Sequence, residues 1–377
     1  MNEIFDVIVL GLGANGSSTV YHLSRTGCKV FGIDQFKPPH THGSSHGQSR
    51  IIRQAYHENS LYVPFVKEAC KLWYEIEKTA GKKLFLKTGG LMLGGENSQV
   101  TTGAKLSAET HHIPFEYLDS SSIKNRFPAF NPLAGTFGVL EKDAGILFPE
   151  DCVQAFLEEA GKNGASLHYN ECVTGIKSNQ NFIEIITDKN RYRTEKLIVS
   201  AGSWLNVLMP ELHLPLTIER QVLYWLRNTN EKQGQYFMPA NFPIYIWEYL
   251  PGKIFYGFPD LGDGIKIAFD HGGKHIVPGS PVPPASKQEI EDIVSIAERY
   301  LDMKVVFNYS VTCKYTNTPD EDFIIDFHPQ NKNIIIASPC SGHGFKFASV
   351  TGKILCDMAT GKRVLFDLSP FRISRFV

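Results

Sequence analysis

The chain has 377 residues, with 38 Lys and Arg against 39 Asp and Glu and a formal net charge of -1. Its apolar fraction of 42% and charged fraction of 20% are ordinary globular usage, which excludes a disordered chain, a coiled coil and a fibrous repeat. Such a balance has no global field for polyanions, and no apolar run reaches the roughly 18 residues that span a bilayer, so neither nucleic acid nor a membrane is an expected partner.

The opening residues are acidic rather than basic and lead straight into an apolar run, so no secretory signal is expected. That run, Phe5-Asp-Val-Ile-Val-Leu10, fits a strand buried on both faces of a parallel sheet. Gly11-Leu-Gly13-Ala-Asn-Gly16 follows, then a helical pattern carrying Ala14, Val20 and Leu23 and closed by Gly27. A second strand, Lys29-Val-Phe-Gly-Ile-Asp34, ends in an acid 18 positions beyond Gly16. Each part has a physical role. Gly11 permits a tight turn, Gly13 lets backbone approach a pyrophosphate, and Gly16 lets helix and strand pack closely. The helix start attracts phosphate charge, and Asp34 can accept a hydrogen bond from a ribose hydroxyl. The order strand, glycines, helix, strand, acid reads as a dinucleotide site. It does not separate FAD from NAD.

The next loop, from Pro38 to Arg53, is kept irregular by prolines, glycines and serines. Its histidines, His40, His42 and His46, stand in this irregular loop with no local cysteine or acid, so no metal site is expected. Arg50 and Arg53 stand three apart, on one face if helical, and suit bidentate grip of a carboxylate or phosphate; the bland alternative is two surface arginines. Residues 83–141 and 216–267 alternate aromatic and β-branched residues, as in Val222-Leu-Tyr-Trp-Leu226, and suggest an antiparallel sheet. Lys196-Leu-Ile-Val-Ser and Asn333-Ile-Ile-Ile-Ala-Ser read as buried parallel strands. A nucleotide fold completed by the C-terminal third is a flavoprotein habit and favours FAD. Residues 278–284 form a Pro-rich connection and residues 286–300 a surface helix. The 7 cysteines are scattered with no C-x-x-C pair, which fits a reducing, cytoplasm-like compartment.

The expected class is thus α/β and two-lobed. A Rossmann-type FAD-binding domain of residues 1–82, 142–215 and 305–377 is interleaved with an antiparallel-sheet substrate domain of residues 83–141 and 216–304. Two further constellations could carry chemistry. Cys313-Lys-Tyr315-Thr-Asn-Thr-Pro-Asp-Glu321 contains a cysteine that, alone, reads as a buried small hydrophobe. Ser341-Gly-His-Gly-Phe-Lys346 stands at an apparent helix start, where glycines allow close approach and the dipole favours a reduced flavin; the alternative is a glycine-rich turn with an exposed lysine.

Together, Gly43-Ser-Ser-His-Gly-Gln-Ser-Arg-Ile-Ile-Arg53 and these two segments resemble, in order, three signatures of the monomeric sarcosine oxidase family of flavoprotein amine oxidases. That family includes N-methyltryptophan oxidase and the peroxisomal sarcosine/pipecolate oxidases. The resemblance covers essentially the whole chain, and Pro370-Phe-Arg-Ile-Ser-Arg-Phe376 looks most like the animal peroxisomal branch. It implies FAD held covalently through the Cys313 sulfur. It implies that Arg53 and Lys346 hold the substrate carboxylate, that Tyr256 and Tyr315 line the pocket, and that His46 and Arg50 sit against the flavin. It places Lys266 near flavin N5, where an ammonium stabilises superoxide. The implied cofactor-binding set is Gly11, Gly13, Gly16, Asp34, Ser45, Arg50, Cys313, Gly342, Gly344 and Lys346. The implied reaction oxidises the C–N bond of a secondary-amine amino acid (sarcosine, an N-methyl amino acid or pipecolate) and reduces O2 to H2O2, in a monomer.

Two departures bear on substrate. Where sarcosine oxidase has His four positions after the lysine matching Lys266, this chain has Asp270, followed by His271. An acid there resembles the fructosyl-amino-acid oxidases, so a bulky N-substituted amino acid is the alternative substrate; a register shift that lets His271 serve is the bland reading. Pro339-Cys340 stands where relatives have Gly-Phe. A third reading is a flavin dehydrogenase with another electron acceptor, or a non-catalytic flavin-binding subunit. The chain stops at Val377 without a Ser-Lys-Leu-like ending, so a cytoplasmic rather than peroxisomal address is expected.

Overall fold

The apolar run Ile4–Leu10 pairs in parallel with Val30–Ile33 on one side and Arg191–Val199 on the other, which explains why it is apolar on both faces. The structure is a computed structural model describing residues 4–179 and 181–376. Residues 1–3, 180 and 377 lie outside the described residues, and with them the readings that rest on the two chain ends. Ser166–His168 extends the sheet beyond Val30–Ile33, and Asn331–Ser338 extends it beyond Arg191–Val199, both in parallel. Antiparallel additions, Val173–Ser178 with Ile183–Thr187 and the strand Ile324–His328, complete it. The helix Ala14–Ser24 packs against both Pro149–Lys162 and Ala348–Thr360. Its approach to the last is close: a Cβ on Gly352 would stand 2.2 Å from the Ser18 hydroxyl.

The second sheet runs in the order 305–317, 217–228, 265–270, 253–258, 244–250, 90–94, 137–141, 116–119. It is antiparallel except that Gly90–Gly94 lies parallel to Ile244–Leu250. The helix Lys287–Tyr300, started by a Ser286–Glu289 capping box, buries Ile293, Ala297 and Tyr300 against one face. Because strand side chains alternate, the opposite face presents Leu223, Trp225, Tyr256, Ala268 and Cys313 as one cluster. Lys266 shares that face with Ala268 and reaches the loop after the second parallel strand.

The sequence assigns residues 305–317 to the nucleotide-binding domain, but Val305–Asn317 pairs along its length with Thr217–Asn228 of the second sheet. Cys313 is therefore carried by the antiparallel lobe and faces the nucleotide lobe. A small sheet of Arg50–Ile52, Gly145–Leu147 and Phe85–Lys87 ties segments that the sequence assigns to different lobes.

Candidate active site

A deep cleft follows the carboxyl ends of the parallel strands. Its free space is about 1450 Å³ counted to open solvent. Gly11, Gly13, Asp34 and Ser45 line one end and Arg50, Tyr315, Gly342 and Gly344 the other. Gly11 adopts φ +84°, and a Cβ there would stand 2.6 Å from the Ser200 carbonyl oxygen. Gly16 does not line the cleft; a Cβ there would stand 1.7 Å from the Gly11 carbonyl oxygen, so its part is helix–strand packing. Asp34 accepts from the Leu12 N–H at 2.7 Å and the Phe36 N–H at 2.9 Å, which fixes its carboxylate at the cleft wall. Asn15 Oδ1 and His40 Nδ1 are buried there without a partner. Glycines, helix start, acid and unpaired polar atoms together fit a dinucleotide.

The loop histidines take separate places. His42 stacks on Phe36 with ring centroids 4.0 Å apart, His40 Nε2 lies 3.6 Å from Asp34, and His46 turns inward. Among the described residues no group of three or more His, Cys, Asp or Glu is placed to hold a metal ion.

At the inner end the loop meets the second sheet. Cys313 is 2% exposed, and its Sγ lies 3.8 Å from the Ser44 carbonyl oxygen at the cleft edge and 3.6 Å from Arg50 Nη2. Burial alone would push the thiol up; the neighbouring His46 and the Arg50 charge outweigh it and bring it down to about 6. Both ring nitrogens of His46 are buried beside this sulfur without a hydrogen-bond partner. Lys266 is 3% exposed and donates to the Gly47 carbonyl at 2.7 Å, the Ser49 carbonyl at 2.8 Å and the Ser49 hydroxyl at 3.0 Å. Three acceptors match the three N–H bonds of an ammonium, while burial and the Arg50 charge pull its pKa well down.

Arg53 is not beside Arg50. Arg50–Ile52 is a strand, not a helix, so the two guanidiniums diverge: Arg50 faces Cys313, and Arg53 turns into a separate cluster with Ala55, His57 and Glu58. There Arg53 pairs with Glu58 at 2.6 and 2.7 Å and lies 4.5 Å from the Tyr56 ring centroid. Lys346 Nζ lies 5.3 Å from the same ring. Lys346 is 6% exposed, which removes the reading of a surface lysine, and burial with the Arg53 charge lowers it to about 7. Glu58 would be raised by burial, but Arg53, His57 and Lys346 hold it well below the usual carboxylate range. Its side chain is still 33% exposed, so it can swing outward. Replacing it tests this: Glu58→Gln should bind small carboxylate inhibitors up to about tenfold more tightly, because Arg53 no longer has to leave a charged partner. Equilibrium titration checks it, and weaker binding would contradict it.

Tyr256 and Tyr315 close the space between these two groups, their hydroxyls 3.3 Å apart. Burial pushes Tyr256 up to about 12 and Tyr315 well above its usual value, so both are neutral donors. Asp270 faces this pocket: its charge acts on Tyr56, Tyr256, Tyr315 and Lys346. Burial raises its carboxyl, with His271 opposing. His271 leaves the strand at φ +58° and turns to Glu219 at 3.4 Å, with its ring 5.2 Å from Tyr315. Asp270, not His271, therefore ends the strand face that carries Lys266. Tyr56, Glu58 and His343 join this cluster without a role assigned from the sequence, although His343 lies inside the Ser341–Lys346 signature. Tyr56 Oη donates to His343 Nδ1, and His343 Nε2 donates to the Glu321 carbonyl at 3.0 Å. The only local signal was an unusual Arg53-Gln-Ala-Tyr-His-Glu58 run of polar residues after a strand.

Residues 6–358 match the family described as FAD dependent oxidoreductase. A curated relative, monomeric sarcosine oxidase of Streptomyces avermitilis, is 38% identical over 95% of this chain and 94% of its own. N-methyl-L-tryptophan oxidase of Yersinia pestis is 34% identical over 99% of both chains. Among solved structures, NikD, an unusual amino acid oxidase essential for nikkomycin biosynthesis, superposes with a TM-score of 0.85 at 21% identity, covering 98% of this chain and 97% of that one, a likeness of fold.

Proposed function

Because the chain belongs to the FAD dependent oxidoreductase family, and within it to the line of monomeric sarcosine oxidase and N-methyltryptophan oxidase, we propose that it oxidises the C–N bond of a small secondary-amine amino acid, with O2 as acceptor and H2O2 as product. The observation that carries this reading is the pairing of Arg53 and Lys346 over one Tyr56 ring, beside Tyr256, Tyr315 and Asp270, at the inner end of a dinucleotide cleft. Gly11, Gly13 and the start of Ala14–Ser24 would hold the pyrophosphate and Asp34 a ribose, with Ser45 and Gly344 along the cleft and Cys313 tethering the ring beside His46 and Arg50. FAD, when bound, would supply the redox chemistry, as acceptor of a hydride equivalent from the N-alkyl carbon and donor of an electron pair to O2.

The chain's own residues do the rest. The substrate carboxylate replaces Glu58 on Arg53 and pairs with Lys346, which fixes the N-alkyl carbon in place. Two nearby cations disfavour an ammonium, and Asp270 accepts the amine's hydrogen bonds, so the amine is held ready to donate electrons. Water then splits the imine product into an aldehyde or ketone and an amine. We take the protein to act as a monomer in the cytoplasm; no described helix is long and apolar enough to cross a membrane. A peroxide assay across sarcosine, N-methyl amino acids and pipecolate tests the substrate class, and no peroxide from any of them removes it. Asp270 favours a second reading, a fructosyl or other bulky N-substituted amino acid, which turnover of glycated amino acids in the same panel would select.

The pH dependence of binding follows from Lys346. Its ammonium is present below about 7 and is lost as pH rises through that value. An amine-free carboxylate such as methylthioacetate should therefore bind more weakly, by about tenfold, as pH is raised past this value, since one charge-assisted pair disappears. Lys346→Met should bind weakly throughout with a flat profile. Binding that strengthens with pH would contradict the assignment.

A further inference from the structure

We propose that Gln48 is a positioning residue for oxygen reduction, acting through Lys266, which it holds by pinning the turn whose carbonyls bind that lysine. The inference rests on the reading of Lys266 as the group that serves O2. Two of the three acceptors on Lys266 Nζ are the carbonyls of Gly47 and Ser49, the residues on either side of Gln48. Both carbonyls reach one nitrogen because the backbone reverses there: Gly47 has φ +100° and Gln48 φ +67°, the left-handed region that a glutamine rarely adopts. The Ser49 N–H closes the turn onto the Gly47 carbonyl at 2.8 Å. Nor is there slack at Gly47, where a Cβ would stand 2.6 Å from the Leu223 side chain.

The strained turn is held from both lobes. Gln48 Nε2 donates to Asp263 Oδ2 at 3.3 Å and to the Tyr309 hydroxyl at 3.2 Å, and Gln48 Oε1 accepts from Trp225 Nε1 at 3.1 Å. Glu150 Oε1 accepts the Gly47 and Gln48 N–H groups at 2.6 and 3.1 Å. Trp225 is the register partner of Lys266 in the sheet and stacks on Tyr309 at 4.6 Å. An exposed glutamine with both ends of its amide engaged thus fixes the turn to the strand next to the one that carries the lysine. Removing the amide frees the turn to relax, and Lys266 loses its fixed acceptors.

Gln48→Ala in the holoenzyme should slow reoxidation of the reduced enzyme by O2 about tenfold while leaving its reduction by substrate within about twofold. It should also raise the rate of Lys266 acetylation by acetic anhydride, read by peptide mass spectrometry, severalfold. Tyr309→Phe keeps the stack on Trp225 and removes one partner, so it should move both readouts in the same direction by about threefold; it decides the matter if Gln48→Ala does not fold. Equal loss in both half-reactions, or unchanged reoxidation and labelling in a folded variant, would overturn the proposal. If Lys266→Met slows reoxidation and Gln48→Ala does not, only this inference fails; if Lys266→Met has no effect, the reading beneath it fails as well.

Discussion

Lys266→Met should slow reoxidation by O2 about 10²–10³-fold while reduction of the enzyme by substrate changes little. Methionine keeps the length and volume of the lysine stem and removes its charge. Reduction of O2 builds negative charge on a small molecule in a dry site, where a preorganised cation lowers the barrier most. Lys266 has the placement such a cation needs: it is buried, its nitrogen is fixed by three oxygens, and it lies 4.5 Å from the Phe258 ring centroid. The proposed binding of the amino acid uses other groups. Arg53, Lys346 and Asp270 cluster around Tyr56, and Asp270 stands four residues, about 13 Å of strand, from Lys266. Stopped-flow measurement of the two half-reactions separates them. Equal loss in both would remove Lys266 from the oxygen step.

Cys313→Ser should abolish covalent flavin. Acid precipitation of the native protein should leave the yellow colour with the chain, and intact mass should exceed the sequence mass by one FAD; in the variant the colour should stay in solution. The reason lies in the sulfur's surroundings. A thiol at about 6 is mostly thiolate at neutral pH, held beside Arg50 and His46, whereas a serine hydroxyl stays protonated there. Flavin attachment to apoprotein should accordingly quicken as pH rises through about 6 and level off above it. Native flavin released by acid, or a serine variant that retains it, would contradict the tether.

Local chemistry made much of this legible. The strand, glycines, helix and acid from Ile4 to Asp34 are contiguous, so their physical roles read directly and the structure keeps their order. The three signatures named Arg53, Cys313 and Lys346, and the fold brings the segments that carry them to one cleft. Pairings between distant residues were not legible. Nothing local says that Val305–Asn317 joins Thr217–Asn228, because alternation is the same in either lobe. The Arg53–Glu58 pair depends on how an irregular loop turns, and the Tyr56–His343 bond spans 287 positions. Arg50 and Arg53 read as neighbours under a helical assumption, and the three-residue strand Arg50–Ile52 separates them.

The central claim is tested most directly by stoichiometry. Purified protein is given an N-methyl amino acid in air-saturated buffer, and amine, O2 and peroxide are followed together. Equal moles of amine consumed, O2 consumed and H2O2 released are expected, with the flavin absorbance bleaching when O2 is withheld and returning when it is admitted. Amine oxidation without peroxide, or a flavin that no N-alkyl amino acid bleaches, would contradict it.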